Sequence, residues 1–292
     1  MAPITLTPQS RRNTKILTRT TLALLITITA SSQPATPATP TSLHSQTINA
    51  SLTQRWPAST NPHLSWLVLD IATGQTLSQQ ALDPDTPIPV GSLTKPFLAL
   101  AYARTHTTFP HLPCKGTADR CWLPQGHGTL DIQSALAHSC NAYFIALSQQ
   151  IDPTALQTIL QQVGLPSPPP DPTPATLIGL NPAWQIAPST LARAYARLLT
   201  QPDAAVILAG LRQSATTGTA SALHGQNALA KTGTAPCHHH NCIATSDGLV
   251  LVLTPADNPR TLLLLRQQGS TGAATATIAA QMLPLLEATH AR

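Results

Sequence analysis

The sequence predicts an α/β chain of the α+β type: an antiparallel sheet built from both chain ends, flanked by helices, with an all-helical subdomain inserted between them. Three observations predict it. Strand-like runs lie near the start of the folded part and again near its end, the stretch between them carries apolar residues at threes and fours, and 292 residues leave room for one large domain with a sizeable core.

The N-terminus is set apart. Arg11, Arg12, Lys15 and Arg19 precede an apolar run from Thr20 to Ala30, and the small residues Ala30-Ser31-Ser32 follow, which are the three parts of a secretory signal peptide. The run is shorter than the ~20 residues that span a bilayer, so residues 1–32 are expected to direct export with cleavage near Ser32, an uncleaved N-terminal anchor being the alternative. Residues 33–50, rich in Pro and Thr, read as a semi-extended linker, and residues 51–292 as the folded domain. The net charge of +5 is modest, and part of it precedes the apolar run. No basic stripe with interleaved aromatics remains, so nucleic acid is not expected as a partner.

Within the domain, Ser65 to Asp70 and Gln75 to Gln80 flank the turn Ala72-Thr73-Gly74 and read as a hairpin. Phe97 to Arg104, Ile132 to Gln150, Thr154 to Val163 and Pro188 to Leu199 read as helices, with Pro166 to Pro174 a proline-rich loop. Strands return at Ala228 to Thr234, Leu249 to Thr254 and Arg260 to Leu265, the last two joined by the turn Asp257-Asn258-Pro259. A helix from about Thr271 to Thr289, interrupted by Pro284, ends the chain.

Chemistry concentrates in Gly91-Ser92-Leu93-Thr94-Lys95-Pro96. Ser92 and Lys95 are three residues apart at a helix start, because Pro89 and Gly91 break what precedes and Pro96 is tolerated only in a first turn. A serine there feels the positive end of the helix dipole, and a lysine packed under Phe97 to Ala101 is desolvated, which lowers its pKa toward that of a usable base. That pairing describes an activated nucleophile. Alone, the same spacing also fits an N-cap serine followed by a solvated lysine.

Two later stretches separate the readings: Ser139-Cys140-Asn141 and Lys231-Thr232-Gly233-Thr234-Ala235, in that order. Ser-x-x-Lys, Ser-x-Asn and Lys-Thr-Gly form the motif set of the penicillin-recognising acyl-serine enzymes, and most of the chain beyond about residue 60 resembles the transpeptidase domain of penicillin-binding proteins. The resemblance implies a cleft between sheet and helical subdomain, a D,D-transpeptidase or D,D-carboxypeptidase acting on D-Ala-D-Ala peptides of peptidoglycan, and an acyl-enzyme on Ser92. Lys95 is then the first candidate for its proton, and Ser139 relays a proton to the leaving amine between Lys95 and Lys231. Asn141 bonds the substrate amide, the backbone N–H groups of Ser92 and Thr234 form the oxyanion hole, and Thr232, Gly233 and Thr234 line the substrate. Strict strand alternation would turn both threonines away from the face of Lys231. Peptidoglycan stem peptides and covalently bound β-lactams are the implied partners, with a cell-wall synthesis protein supplying positioning; no cofactor is implied, and the location is periplasmic or extracytoplasmic.

Five cysteines suit an exported chain. Cys114 and Cys121 bracket one short loop and Cys237 and Cys242 another, so two small disulfides are expected. Cys140 is left over as a buried free thiol. The loop holding His238, His239 and His240 cannot easily aim adjacent imidazoles at one point, so no metal is expected there. His127 and His138 read as structural hydrogen-bonding residues. Two alternative functions stand: a serine β-lactamase of class D type, which needs no glutamate but a carboxylated Lys95, and a catalytically silent β-lactam sensor. A class A mechanism is disfavoured, because the only glutamate, Glu287, lies past every motif.

Overall fold

The computed structural model describes residues 43–80, 83–237 and 242–287. The described residues open with α1 (Leu43–Arg55), β1 (Leu64–Asp70), β2 (Thr76–Gln80) and β3 (Ile88–Pro89). The helical region follows: α2 (Lys95–Ala103), the short strands β4 (Leu112–Cys114) and β5 (Gly128–Leu130), then α3 (Ile132–Ala137), α4 (Asn141–Ser148), α5 (Pro153–Val163) and α6 (Pro174–Leu177). After β6 (Gln185–Ile186) come α7 (Pro188–Leu198), α8 (Ala205–Thr216), β7 (Leu229–Pro236), β8 (Ser246–Thr254), β9 (Thr261–Gln268) and α9 (Gly272–Glu287). The expected signal peptide and the histidines at 238–240 lie outside the described residues.

The main sheet has the order β2-β1-β9-β8-β7, antiparallel throughout, so the first long strand pairs with the last one. This is the sheet from two chain ends that the sequence predicts. Its strands alternate between two cores. Leu67, Leu69, Leu251 and Leu264 face the helical subdomain, while Trp66, Val68, Val252 and Leu263 face α1 and α9. A fully buried side chain of this size contributes roughly 1.5–3 kcal/mol relative to exposure, so the two layers hold the strands from both sides.

Several boundaries depart from the sequence reading. Residues 43–50 are helical, not linker: Ile48 and Leu52, four apart, are buried in the second core, and Asn49 Oδ1 accepts a 2.9 Å bond from Ser78 on β2. Two apolar anchors in an otherwise polar segment leave too little periodicity to read. The helical stretch over 132–150 forms two helices, split by a turn where Ser139 takes φ 51°. Asp131 caps the first of them through Ser134 N at 2.7 Å, and Cys140 Sγ caps the second through Tyr143 N at 3.5 Å. Pro284 lies inside α9 without ending it. α8, not foreseen, lacks a side-chain cap to announce it. Among the described residues no helix is long and apolar enough to cross a membrane.

Candidate active site

Ser92 sits in a 3-10 turn, Gly91–Thr94, that runs directly into α2, with Pro96 in the first helical turn. Two bonds from the helical subdomain fix this junction: Tyr195 Oη donates to Leu93 O at 2.8 Å, and Thr94 Oγ1 donates to Leu177 O at 2.7 Å. The turn packs on edge strand β7 so closely that a Cβ on Gly91, where φ is 55°, would lie 2.8 Å from Thr234 O. A Cβ on Gly233 would lie 2.8 Å from Val90 O. Both glycines let the nucleophile turn and the strand meet backbone to backbone, which brings Ser92 and Thr234 to opposite sides of one seam.

Behind Ser92 lie two lysines with no solvent exposure. Lys95 Nζ donates to Ser139 O at 2.8 Å and Asn141 Oδ1 at 2.7 Å, with Ser139 Oγ at 3.4 Å. Lys231 Nζ donates to Ser139 Oγ at 2.8 Å and to Thr232 O at 2.8 Å. Burial lowers the Lys95 pKa to about 7, against an upward pull from Cys140 and Cys121. Burial, and then the charge of Lys95, hold Lys231 well below the usual lysine range. Helical spacing suggests direct contact between Ser92 and Lys95; the amine instead turns across to the second motif, because Asn141 Oδ1 and Ser139 O offer a buried amine the acceptors it needs.

A cleft of about 450 Å³ opens over these groups, lined by Ser92, Ser139, Asn141, Thr232 and Thr234 among others. The threonines thus share the cleft, while the Lys231 amine is buried and bonds both Ser139 of the second motif and the Thr232 carbonyl of its own strand. Thr232 Oγ1 and Thr219 Oγ1 are 2.6 Å apart, and Thr234 Oγ1 accepts from Gly272 N at 3.0 Å. Sequence reasoning assigned no part to Thr219, Trp122 or Leu180, all of which line the cleft. Trp122 and Leu180 are exposed, at 51% and 38%. A tryptophan directly after Cys121, where the short polar loop ends, was the available signal. A larger hollow of about 840 Å³, beside residues 103–111 and 202–206, holds none of the motif residues.

The cysteines divide. Cys237 and Cys242 are bridged, as expected. The Cys114–Cys121 bridge is a correction: both are free thiols, and so is Cys140. Spacing alone could not anticipate that Cys140 and His127 arrive at the same point, where all four ligand atoms lie within 4.8 Å of one another. His127 is stacked at 5.6 Å on His138 and edge-on to Trp122 at 5.3 Å. Asp171 takes φ 51° in the proline-rich loop and does not line the cleft, and Glu287 accepts from Thr254 Oγ1 at 2.7 Å, where β8 pairs with the start of β7.

Residues 65–209 match the family model described as the penicillin binding protein transpeptidase domain. Among solved structures, Pseudomonas aeruginosa PBP2 in complex with WCK 5153 is similar at a TM-score of 0.63 and 18% identity, over 77% of this chain and 73% of that one. The transpeptidase domain of Burkholderia pseudomallei penicillin-binding protein 3 is similar at 0.62 and 14%, over 85% and 92%. Helicobacter pylori PBP2, in its complex with MreC, is similar at 0.65 and 16%, over 82% of this chain but only 61% of that one. No curated protein matches the chain.

Proposed function

The chain carries a transpeptidase domain of the penicillin-binding-protein superfamily, and on that premise we propose that it is a serine-type D,D-transpeptidase or D,D-carboxypeptidase working through an acyl-enzyme on Ser92. The observation that carries this reading is the convergence of three separate motifs on one cleft, with two lysines buried behind a single serine hydroxyl.

Ser92 Oγ attacks the carbonyl carbon of the penultimate D-Ala, and its proton passes to neutral Lys95. Charge on the carbonyl oxygen is met by the backbone N–H groups of Ser92 and Thr234. The amide C–N bond then breaks, and the departing amine takes its proton through Ser139, whose hydroxyl joins Lys95 to Lys231. Asn141 bonds the substrate amide, and the hydroxyls of Thr232 and Thr234 meet the terminal carboxylate with Lys231 behind them. A second amine or water releases the acyl group. Peptidoglycan stem peptides are the substrates, β-lactams acylate the same serine, and residues 1–32 direct the domain out of the cytoplasm. A cell-wall synthesis protein supplies positioning, by analogy with the MreC complex of the Helicobacter relative.

Hydrolysis of the acyl-enzyme needs an activated water, and no carboxylate lines the cleft among the described residues. The purified protein should therefore take up one equivalent of fluorescent penicillin on the Ser92 peptide, and a chromogenic cephalosporin should give a single-turnover burst. Labelling of Ser92→Ala at the wild-type rate would remove Ser92 as nucleophile. Sustained turnover accelerated by bicarbonate would point to a carboxylated Lys95 and a class D β-lactamase.

A further inference from the structure

We propose that Cys114, Cys121, His127 and Cys140 form a structural zinc site that clamps the Ser139-Cys140-Asn141 turn to the wall of the cleft. Three of the six distances between the ligand atoms match a tetrahedron's edges, and all six are within 4.8 Å. With Zn–S bonds of about 2.3 Å and a Zn–N bond of about 2.05 Å, tetrahedral ligands lie about 3.8 Å apart from sulfur to sulfur and about 3.6 Å apart from sulfur to nitrogen. Cys121 Sγ and Cys140 Sγ are 3.8 Å apart, and His127 Nδ1 is 3.5 Å from both Cys114 Sγ and Cys121 Sγ. A disulfide requires about 2.05 Å between sulfurs. Three thiolates and one imidazole are the donor set of structural zinc, and soft sulfur ligands disfavour magnesium, calcium and manganese.

The local fold needs such a staple. Cys114 and His127 come together through the ribbon β4–β5, in which three residues pair with three and Cys114 lies opposite Gly128. A two-stranded ribbon is marginal on its own in water. The chain between the strands folds back tightly enough that a Cβ on Gly126 would lie 2.2 Å from Cys114 O, and one on Gly116 would lie 1.9 Å from Pro124 O. The three cysteines are buried, at 3%, 5% and 0% exposure, so the ligands are gathered inside the subdomain, not scattered on its surface.

Two ligands adjoin residues that line the cleft. Cys121 precedes Trp122, whose Nε1 donates to His138 O at 3.1 Å, and Cys140 separates Ser139 from Asn141. A bound ion would thus lock the left-handed turn at Ser139, and with it the two acceptors of Lys95, against the Trp122 wall. The metal site stands on geometry alone; its effect on acylation rests on the function proposed above.

The test is elemental analysis and native mass spectrometry of the full chain expressed with zinc in the medium, with one Zn²⁺ per chain expected. Co²⁺ titrated into the reduced, metal-stripped wild type should give a thiolate-to-cobalt charge-transfer band and the visible bands of a tetrahedral site, a readout that needs no variant to fold. Cys114→Ser should weaken binding by at least the roughly 10–100-fold that losing a ligand's outer partner costs, whereas the double variant Cys237→Ser, Cys242→Ser should keep its zinc. Chelation should slow penicillin labelling, and Zn²⁺ should restore it. A disulfide among the three cysteines in protein purified without chelator, or the absence of both zinc and a tetrahedral Co²⁺ spectrum from reduced protein, would overturn the site. Labelling indifferent to metal removal would overturn the clamp. If no form of the protein labels, the acyl-serine reading fails, and the metal analysis still decides the site.

Discussion

Lys95 and Lys231 are alike in most respects. Each is fully buried, each reaches Ser139 Oγ, and burial depresses the pKa of each. They differ in what else they touch. Lys95 starts α2 and spends its remaining bonds on Ser139 O and Asn141 Oδ1, groups of the opposite wall. Lys231 lies on edge strand β7 and turns back to Thr232 O of its own strand. The first amine therefore joins the two helical motifs and is placed to move a proton, while the second supports the threonine wall that faces substrate. Two buried cations side by side also repel, so the pair resists carrying both charges: burial brings Lys95 to about 7, and the charge of Lys95 adds to the depression of Lys231.

The strongest way to break this comparison is Lys95→Ala. Loss of a positioned base should slow fluorescent-penicillin labelling by ~10²–10⁴-fold. An effect no larger than that of Lys231→Ala would make the two lysines equivalent and leave the serine's proton without its assigned acceptor.

Lys231→Ala should act mainly on binding. Losing the amine that stands behind the substrate's charged carboxylate should raise KM for a D-Ala-D-Ala peptide by roughly 10–100-fold, more than it lowers kcat. Steady-state kinetics with the peptide would read this, and a pure kcat loss would move Lys231 into the proton path.

The mildest test is pH. With its pKa near 7, Lys95 should lose its free amine below neutrality, so labelling should fall roughly tenfold per unit below pH 7 and level off above it. Stability should move in the same sense. The unfolded chain still binds the lysine proton between about pH 7 and the ordinary value of 10.5, whereas the folded one does not, so this group makes folding more favourable as pH rises across that window. Denaturant melts at stepped pH would check the sign; a labelling profile flat from pH 5.5 to 8.5 would remove Lys95 as the titrating base.

The amino-acid order alone determined the motif set and the sheet from two chain ends. Both rest on local patterns: triplets of fixed spacing, short apolar runs at β1, β8 and β9, and apolar residues at threes and fours in α5 and α7. Tertiary structure decided what depends on residues distant in sequence meeting at a point. Lys95 reaches away from Ser92 to the turn at Ser139, 44 residues on, because that turn offers its buried amine a backbone acceptor. Thr219 becomes part of the cleft by facing Thr232, and α1 becomes a helix by burying Ile48 and Leu52 beneath the sheet. The two cysteine pairs make the point most directly, since both bracket short loops. Cys237 and Cys242 are bridged to each other, whereas Cys114 and Cys121 are joined by Cys140 and His127. Spacing sets which thiols are able to meet; the arrival of a third sulfur and a nitrogen, carried by α4 and β5, sets what chemistry they share.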